Sequence, residues 1–228
     1  MIKLICGKNT VLDAMENKMD INTVYLLQEQ NNINPEIKVK IITKEEMNKM
    51  TPLNHQGFVA ILNEFKYYDI DSIFQDRPEM VLILDHLEDP QNFGSILRTA
   101  NASGVKHIII PNIRSVDVNE TVAKVSSGGI VGLKIIKVNS IQATIKKLKK
   151  EHFWIYATSL GEGASEYNKE NYNFPLAIIV GNEGKGISKP LLKEADQSVF
   201  IGMEGTVQSL NVSVATGIIL FYLKSQKE

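Results

Sequence analysis

A chain of 228 residues, 43% of them hydrophobic, can bury one substantial core and leaves room for a second, smaller unit. Its single cysteine, Cys6, excludes an intramolecular disulfide and the usual zinc-ligand spacings, which fits a reducing cytosol. A formal net charge of −1, from 25 basic and 26 acidic side chains, excludes the strongly basic footprint common in nucleic-acid-binding domains.

The start of the chain, MIKLICGKNT, carries neither a long apolar core nor a small-residue cleavage site, so no secretory leader is expected. No apolar run approaches the roughly 18 residues that a membrane span needs, so no membrane contact is expected and a cytoplasmic protein is. Residues 1–65 read as a small α/β unit: a helix after Asn9 and Thr10, a strand NTVYLL, a helix near Asn48 and a strand GFVAIL. The segment 66–76 mixes aromatics with acids just before Pro78 and reads as the connector. Residues 77–228 then form the larger unit. Its apolar runs MVLILD, HIIIP, LKIIKV, FWIYAT, LAIIV and VFI, separated by segments of helical length, predict a parallel sheet covered on both faces. Helices are expected over 92–102, 141–150, 188–195 and 207–224. In such a sheet, ligands sit in the loops beyond the carboxyl ends of the strands.

Three of those loops could carry chemistry. The first, DPQNFGSILRTA, offers Asn92 as a helix cap, and Asn92, Ser95 and Arg98 follow one another at a spacing that shares a helix face. The second, VGNEGKGIS, has three glycines that permit close backbone approach, with Glu183 among them; it matches neither the P-loop nor the dinucleotide-binding fingerprint. The third, IGMEGTVQSLN, ends on Ser209 and Asn211, either of which can cap the small-residue helix that follows. These loops contain no histidine or cysteine, although His86 lies at the edge of the first, which argues against nucleophilic triads and transition-metal chemistry. If RNA binds, it must do so through local basic patches, for which Arg98, Arg114, Lys124, Lys134 and Lys185 are candidates. The 17 basic and 15 acidic residues from Arg77 onward, against 8 and 11 before it, make the larger unit the more basic.

In this order and near these separations, NFGSILRTA, IIVGNEGKGI and IGMEGTVQSLNVSVATGI resemble the three motifs of the SpoU branch of the SPOUT methyltransferases. The resemblance spans about Met80 to Tyr222. More weakly, CGKNTVLDA and LNHQGFVAIL resemble the small ribosomal-protein-like domain that precedes the catalytic domain in members methylating ribosomal RNA guanosines. The resemblance implies an α/β sheet with a deep C-terminal trefoil knot, an exception to the rule against knots. It also implies S-adenosylmethionine as cofactor, an RNA substrate rather than DNA, and a homodimer whose active site is completed across the interface. It places the cofactor against Thr158, Ser159 and Leu160, against Gly181, Asn182 and Gly186, and against Ile201, Met203 and Leu210. Catalytic positions carry over onto Asn92, Arg98, Glu183, Ser209 and Asn211. Gly202 departs from the family, which has a proline there.

The family proposal makes Arg98 the proton acceptor. A guanidinium with a pKa above about 12 suits that role poorly, so Arg98 is better read as a phosphate clamp that stabilises developing alkoxide charge. Asn92 would then orient the ribose and Glu183 would fix the site by hydrogen bonds. Transfer RNA as substrate, and a non-catalytic RNA-binding protein of the same fold, are the alternatives.

Overall fold

The computed structural model describes residues 4–30 and 36–226, with the backbone alone for Glu120. The first part of the chain is β1 (Leu4–Cys6), α1 (Lys8–Glu16), β2 (Ile21–Leu26), β3 (Val39–Ile41), α2 (Lys44–Met50) and β4 (Phe58–Leu62). Among the described residues, four strands there form a mixed sheet in the order β1-β4-β2-β3. The helix expected after Asn9 and Thr10 starts before them, at Lys8, with Gly7 at the N-cap and no side-chain cap. The predicted connector is not irregular: it contains α3 (Asp71–Asp76), and just before it Tyr68 pairs with Ile136.

The remaining elements set a strand on each predicted apolar run, with no helix between β8 and β10: β5 (Met80–Leu84), α4 (Pro90–Ser103), β6 (His107–Pro111), α5 (Glu120–Ser126), β7 (Lys134–Val138), α6 (Ile141–Lys150), β8 (Trp154–Thr158), β9 (Ser165–Glu166), β10 (Leu176–Val180), α7 (Lys189–Glu194), β11 (Gln197–Phe200) and α8 (Val212–Ser225). Helix α5 and the short β9 had no counterpart in the sequence reading. Among the described residues, no helix is long and apolar enough to cross a membrane.

Among the described residues, seven strands form one sheet, β7-β6-β5-β10-β8-β11-β9, and every pairing in it is parallel. Alternation along each strand divides the core in two. Leu82, Leu84, Ile108 and Ile110 face α4, α5 and α8 through Phe93, Leu97, Val122 and Leu220. Val81, Ile83 and Ile109 face α3, α6 and α7 through Ile73, Ile145 and Leu191. The first of these layers runs on into the small sheet, through Ile130, Val11 and Val24, so the two sheets share a core.

From β5 the chain goes to β6 on one side, and from β10 it goes to β11 on the other, with α4 and α7 on opposite faces. The crevice between the adjacent carboxyl ends of β5 and β10 is therefore the switch point at which open α/β sheets bind ligands.

Candidate active site

At that crevice the cap of α4 decides what Asn92 is free to do. Asp89, not Asn92, is the N-cap: its carboxylate accepts from the amides of Gln91 (3.0 Å) and Asn92 (3.4 Å), and Pro90 fills the first helical position. The expected start at Asn92 is corrected to Pro90, because an acid directly before a proline is the stronger start signal. The Asn92 side chain, released from capping, donates from Nδ2 to Glu183 Oε1 at 2.5 Å and accepts at Oδ1 from Asn211 Nδ2 at 3.0 Å. One amide thus ties together the first turn of α4, the loop after β10 and the start of α8.

The third member is held in turn. Asn211 caps α8 by accepting from the Ser213 amide at 2.9 Å, and it also accepts from Ser213 Oγ at 2.6 Å. The helix expected from Val207 begins only at Val212, because the cap is Asn211. Ser209 is exposed on the preceding loop and lies outside the hydrogen-bonded trio.

Loop 181–186 is closed on itself by two hydrogen bonds between the backbones of Asn182 and Gly186, of 3.1 and 2.9 Å. A Cβ at Gly181 would lie 2.3 Å from the Gly186 carbonyl carbon, and Gly186 has φ +65. Both glycines are therefore demanded by the turn itself. Asn182 shapes this loop from inside: Oδ1 accepts from the amides of Gly184 and Lys185, and Nδ2 donates to the His86 carbonyl at 3.0 Å. Buried Asp85 fastens the other side, accepting from the Ser188 amide at 2.7 Å and bonding His86 Nδ1 at 2.5 Å. Asp85, Asp89 and Ser213 are positioning groups that sequence reasoning passed over. The Asp89–Pro90 pair was a legible signal for one of them.

Beyond this crevice, Thr158 donates from Oγ1 to the Ile179 carbonyl at 3.0 Å, and Ser159 donates its amide to the Val199 carbonyl at 3.0 Å. Both contacts lock the end of β8 against its neighbours. Leu160 projects with 69% of its surface exposed. Ile201, Met203 and Leu210 are half-buried along the third loop. Among the described residues, the backbone groups of 202–210 make no hydrogen bond within the chain. Gly202 stands where its Cβ would come 3.1 Å from Glu166 Oε1, so little space is left beside it.

Arg98 lies two turns along α4 and is exposed, outside the trio. Its backbone is packed instead: a Cβ at Gly129 would be 2.5 Å from Arg98 Cα, and one at Gly94 would be 2.7 Å from Val125 Cβ. Helix α5 and the loop after it thus sit directly against the helix that presents Arg98. Of the other candidate cations, Lys134 is engaged with Asp76 at 2.5 Å, whereas Arg114, Lys124 and Lys185 are exposed.

Residues 79–221 match the model of the SpoU rRNA methylase family, more than half of the chain. The chain belongs to this family. Residues 4–68 match a second model, RNA 2′-O ribose methyltransferase substrate binding. A protein of Staphylococcus saprophyticus assigned to the TrmH family of tRNA/rRNA methyltransferases is 36% identical, over 96% of this chain and 93% of its own. The structure of an AdoMet-bound rRNA methyltransferase from Sinorhizobium meliloti is similar, with a TM-score of 0.83 and 26% identity over 98% of this chain and 87% of that one. The SpoU methyltransferase AviRb from Streptomyces viridochromogenes, in complex with AdoMet, shares the fold, with a TM-score of 0.80 at 22% identity over 98% and 90%.

Proposed function

We propose that this SpoU-family chain methylates a ribose 2′-hydroxyl of RNA, a guanosine of large-subunit ribosomal RNA, using S-adenosylmethionine. The observation that carries the proposal is the hydrogen-bonded trio Glu183–Asn92–Asn211, which joins one residue from each of the three motifs at the switch point.

The loops fit such a cofactor. The knot that the family implies would wrap it with 158–160, 181–186 and 201–210, and the uncommitted backbone of the third loop and the glycine turn of the second suit recognition by main-chain groups. Thr158, Ser159, Leu160, Gly181, Asn182, Gly186, Ile201, Met203 and Leu210 would form its walls. When bound, the cofactor supplies an electrophilic methyl group. The chain's own task is alignment and charge stabilisation. Asn92, fixed at both ends of its amide, would present the ribose at a set angle. Arg98 would hold an RNA phosphate and stabilise the alkoxide as charge develops. Ser209, exposed near Asn211, would contact the substrate side of the site. Residues 1–65 would bind folded RNA, 66–76 would connect, and 77–228 would catalyse. Two copies would pair through α8, whose face carries exposed Val214 and Phe221, at 50% and 47%.

The test is transfer of radiolabelled methyl from S-adenosylmethionine to unmodified large-subunit ribosomal RNA beside bulk transfer RNA, with Arg98→Ala as control. Label in ribosomal RNA, at a linkage resistant to alkali and absent with Arg98→Ala, is the expected result. Label in transfer RNA alone would reassign the substrate, and label in neither would remove the activity.

A further inference from the structure

Between the small sheet and α5 lies a groove of about 600 Å³ that the catalytic trio does not use. Ile5, Leu53 and Ile130 give it an apolar floor, and Thr10, Asn54 and Lys124 give it a polar rim. Among the described residues, no acidic side chain lines it. Its two walls belong to different units and meet where a Cβ at Gly128 would lie 2.4 Å from Thr10 Oγ1. One wall falls within the substrate-binding match, residues 4–68. The other is α5, whose following loop abuts the backbone of Arg98 through Gly129. The groove therefore connects the two units on the side of the helix that carries Arg98.

We propose that this groove holds an unpaired nucleotide of the RNA substrate, its base on the apolar floor and its phosphate at Lys124. The inference rests on the RNA-methyltransferase reading above. Apolar floor, neutral hydrogen-bonding rim and a cation at the edge match the three parts of a nucleotide: base, ribose and phosphate. A volume of this size can take in a single nucleotide but not a duplex, and proteins read RNA sequence chiefly from unpaired bases that can be splayed out. The occupied groove would fix the register of the RNA between the unit that recognises its fold and the helix that presents Arg98.

The chain contains its own reporter. Cys6 is the single cysteine, it lines the groove, and burial pushes its thiol pKa up, so alkylation is followed at mildly alkaline pH. With the ribosomal RNA transcript at about ten times its dissociation constant, labelling of Cys6 should slow by about tenfold, since only that fraction of the protein stays free. Fully paired RNA and S-adenosylmethionine should leave the rate unchanged. Lys124→Glu, an exposed position, should raise the KM for RNA by about tenfold without changing kcat or cofactor affinity. RNA that is bound, by anisotropy in the same sample, or methylated while Cys6 labels at its free rate would overturn the groove assignment and leave the methyltransferase reading intact. Equal protection by paired RNA would overturn the unpaired nucleotide. Failure of any RNA to bind or accept a methyl group would instead remove the reading on which the groove depends.

Discussion

Asn92 shows how the use of one side chain depends on its neighbour. Because the Asp89 carboxylate takes the capping hydrogen bonds, the Asn92 amide can spend its donor on Glu183 and its acceptor on Asn211. Asn92→Asp keeps the shape, removes the donor and sets a second carboxylate against Glu183. We expect kcat to fall by about 10²-fold or more, the scale for losing one oriented group at a reacting centre, with cofactor affinity by calorimetry unchanged. A kcat within a few-fold of the parent would remove Asn92 from the site. His107 is a second residue with a defined consequence. It is 2% exposed, its Nε2 meets Asp76 Oδ2 at 2.8 Å, and its Nδ1 has no partner among the described residues. Desolvation lowers its pKa more than Asp76 raises it. The unfolded chain therefore binds a proton at His107 that the folded chain resists, and this residue's contribution to stability falls as pH drops below about 6.5. Asp76 itself is held below the usual carboxylate range by Lys134 and His107, so its contribution is lost only at lower pH. Denaturant midpoints should decline between neutral and mildly acidic pH, and His107→Asn should flatten that decline; an unchanged slope would place its origin elsewhere.

At the scale of elements, α4 meets α5 and the loop after it in a tightly constrained contact. Gly129 has room for hydrogen alone, because Arg98 Cα and the Ser126 carbonyl would stand 2.5 and 2.9 Å from a Cβ there. Both are backbone atoms and cannot rotate away. Gly129→Ala should cost about 1–3 kcal/mol by overpacking, and each 1 kcal/mol lowers Tm by roughly 2–4 °C in a chain of this size. It should also lower kcat, by moving the helix that presents Arg98; a melting temperature at or above the parent's would show that the joint is slack. None of this could be read in the sequence, where SSGGIVG looks like an ordinary loop and the seven residues of α5 are too few for a clear helical period. The buried strands were legible for the opposite reason. MVLILD and LAIIV are apolar throughout because both faces of β5 and β10 are covered. Strand β3, all of whose residues are exposed, and the two-residue β9 carried no such signal. Asn92, Glu183 and Asn211 were each named from the motifs. That one amide bridges the other two depends on which residue caps α4, and the sequence reading gave that cap to the wrong side chain.

At the scale of the whole molecule, the trio lies within one chain, while Arg98 stands apart from it, exposed on α4. That separation is what the proposed dimer would resolve, with Arg98 of one subunit serving the cofactor loops of the other. Helix α8 packs on α4 inside the chain, Gly217 lying where a Cβ would be 3.4 Å from Thr99 Cγ2, and it turns Val214 and Phe221 outward. A symmetric pair would bury that face twice. Two inactive variants can then repair each other. Gly181→Ala would spoil the glycine turn, since its Cβ meets the Gly186 backbone at 2.3 Å, and Arg98→Ala would remove the cation. In a mixed dimer whose sites combine Arg98 from one chain with loops from the other, one of the two sites would have both parts intact. Random reassortment makes about half the dimers mixed, so an equimolar mixture should regain about a quarter of the parental activity. If each site is built within one chain, every site in the mixture still lacks a part, and activity stays at the level of the separate variants. Phe221→Asp adds an independent reading, because it should shift the sedimentation coefficient to that of a monomer and abolish the repair.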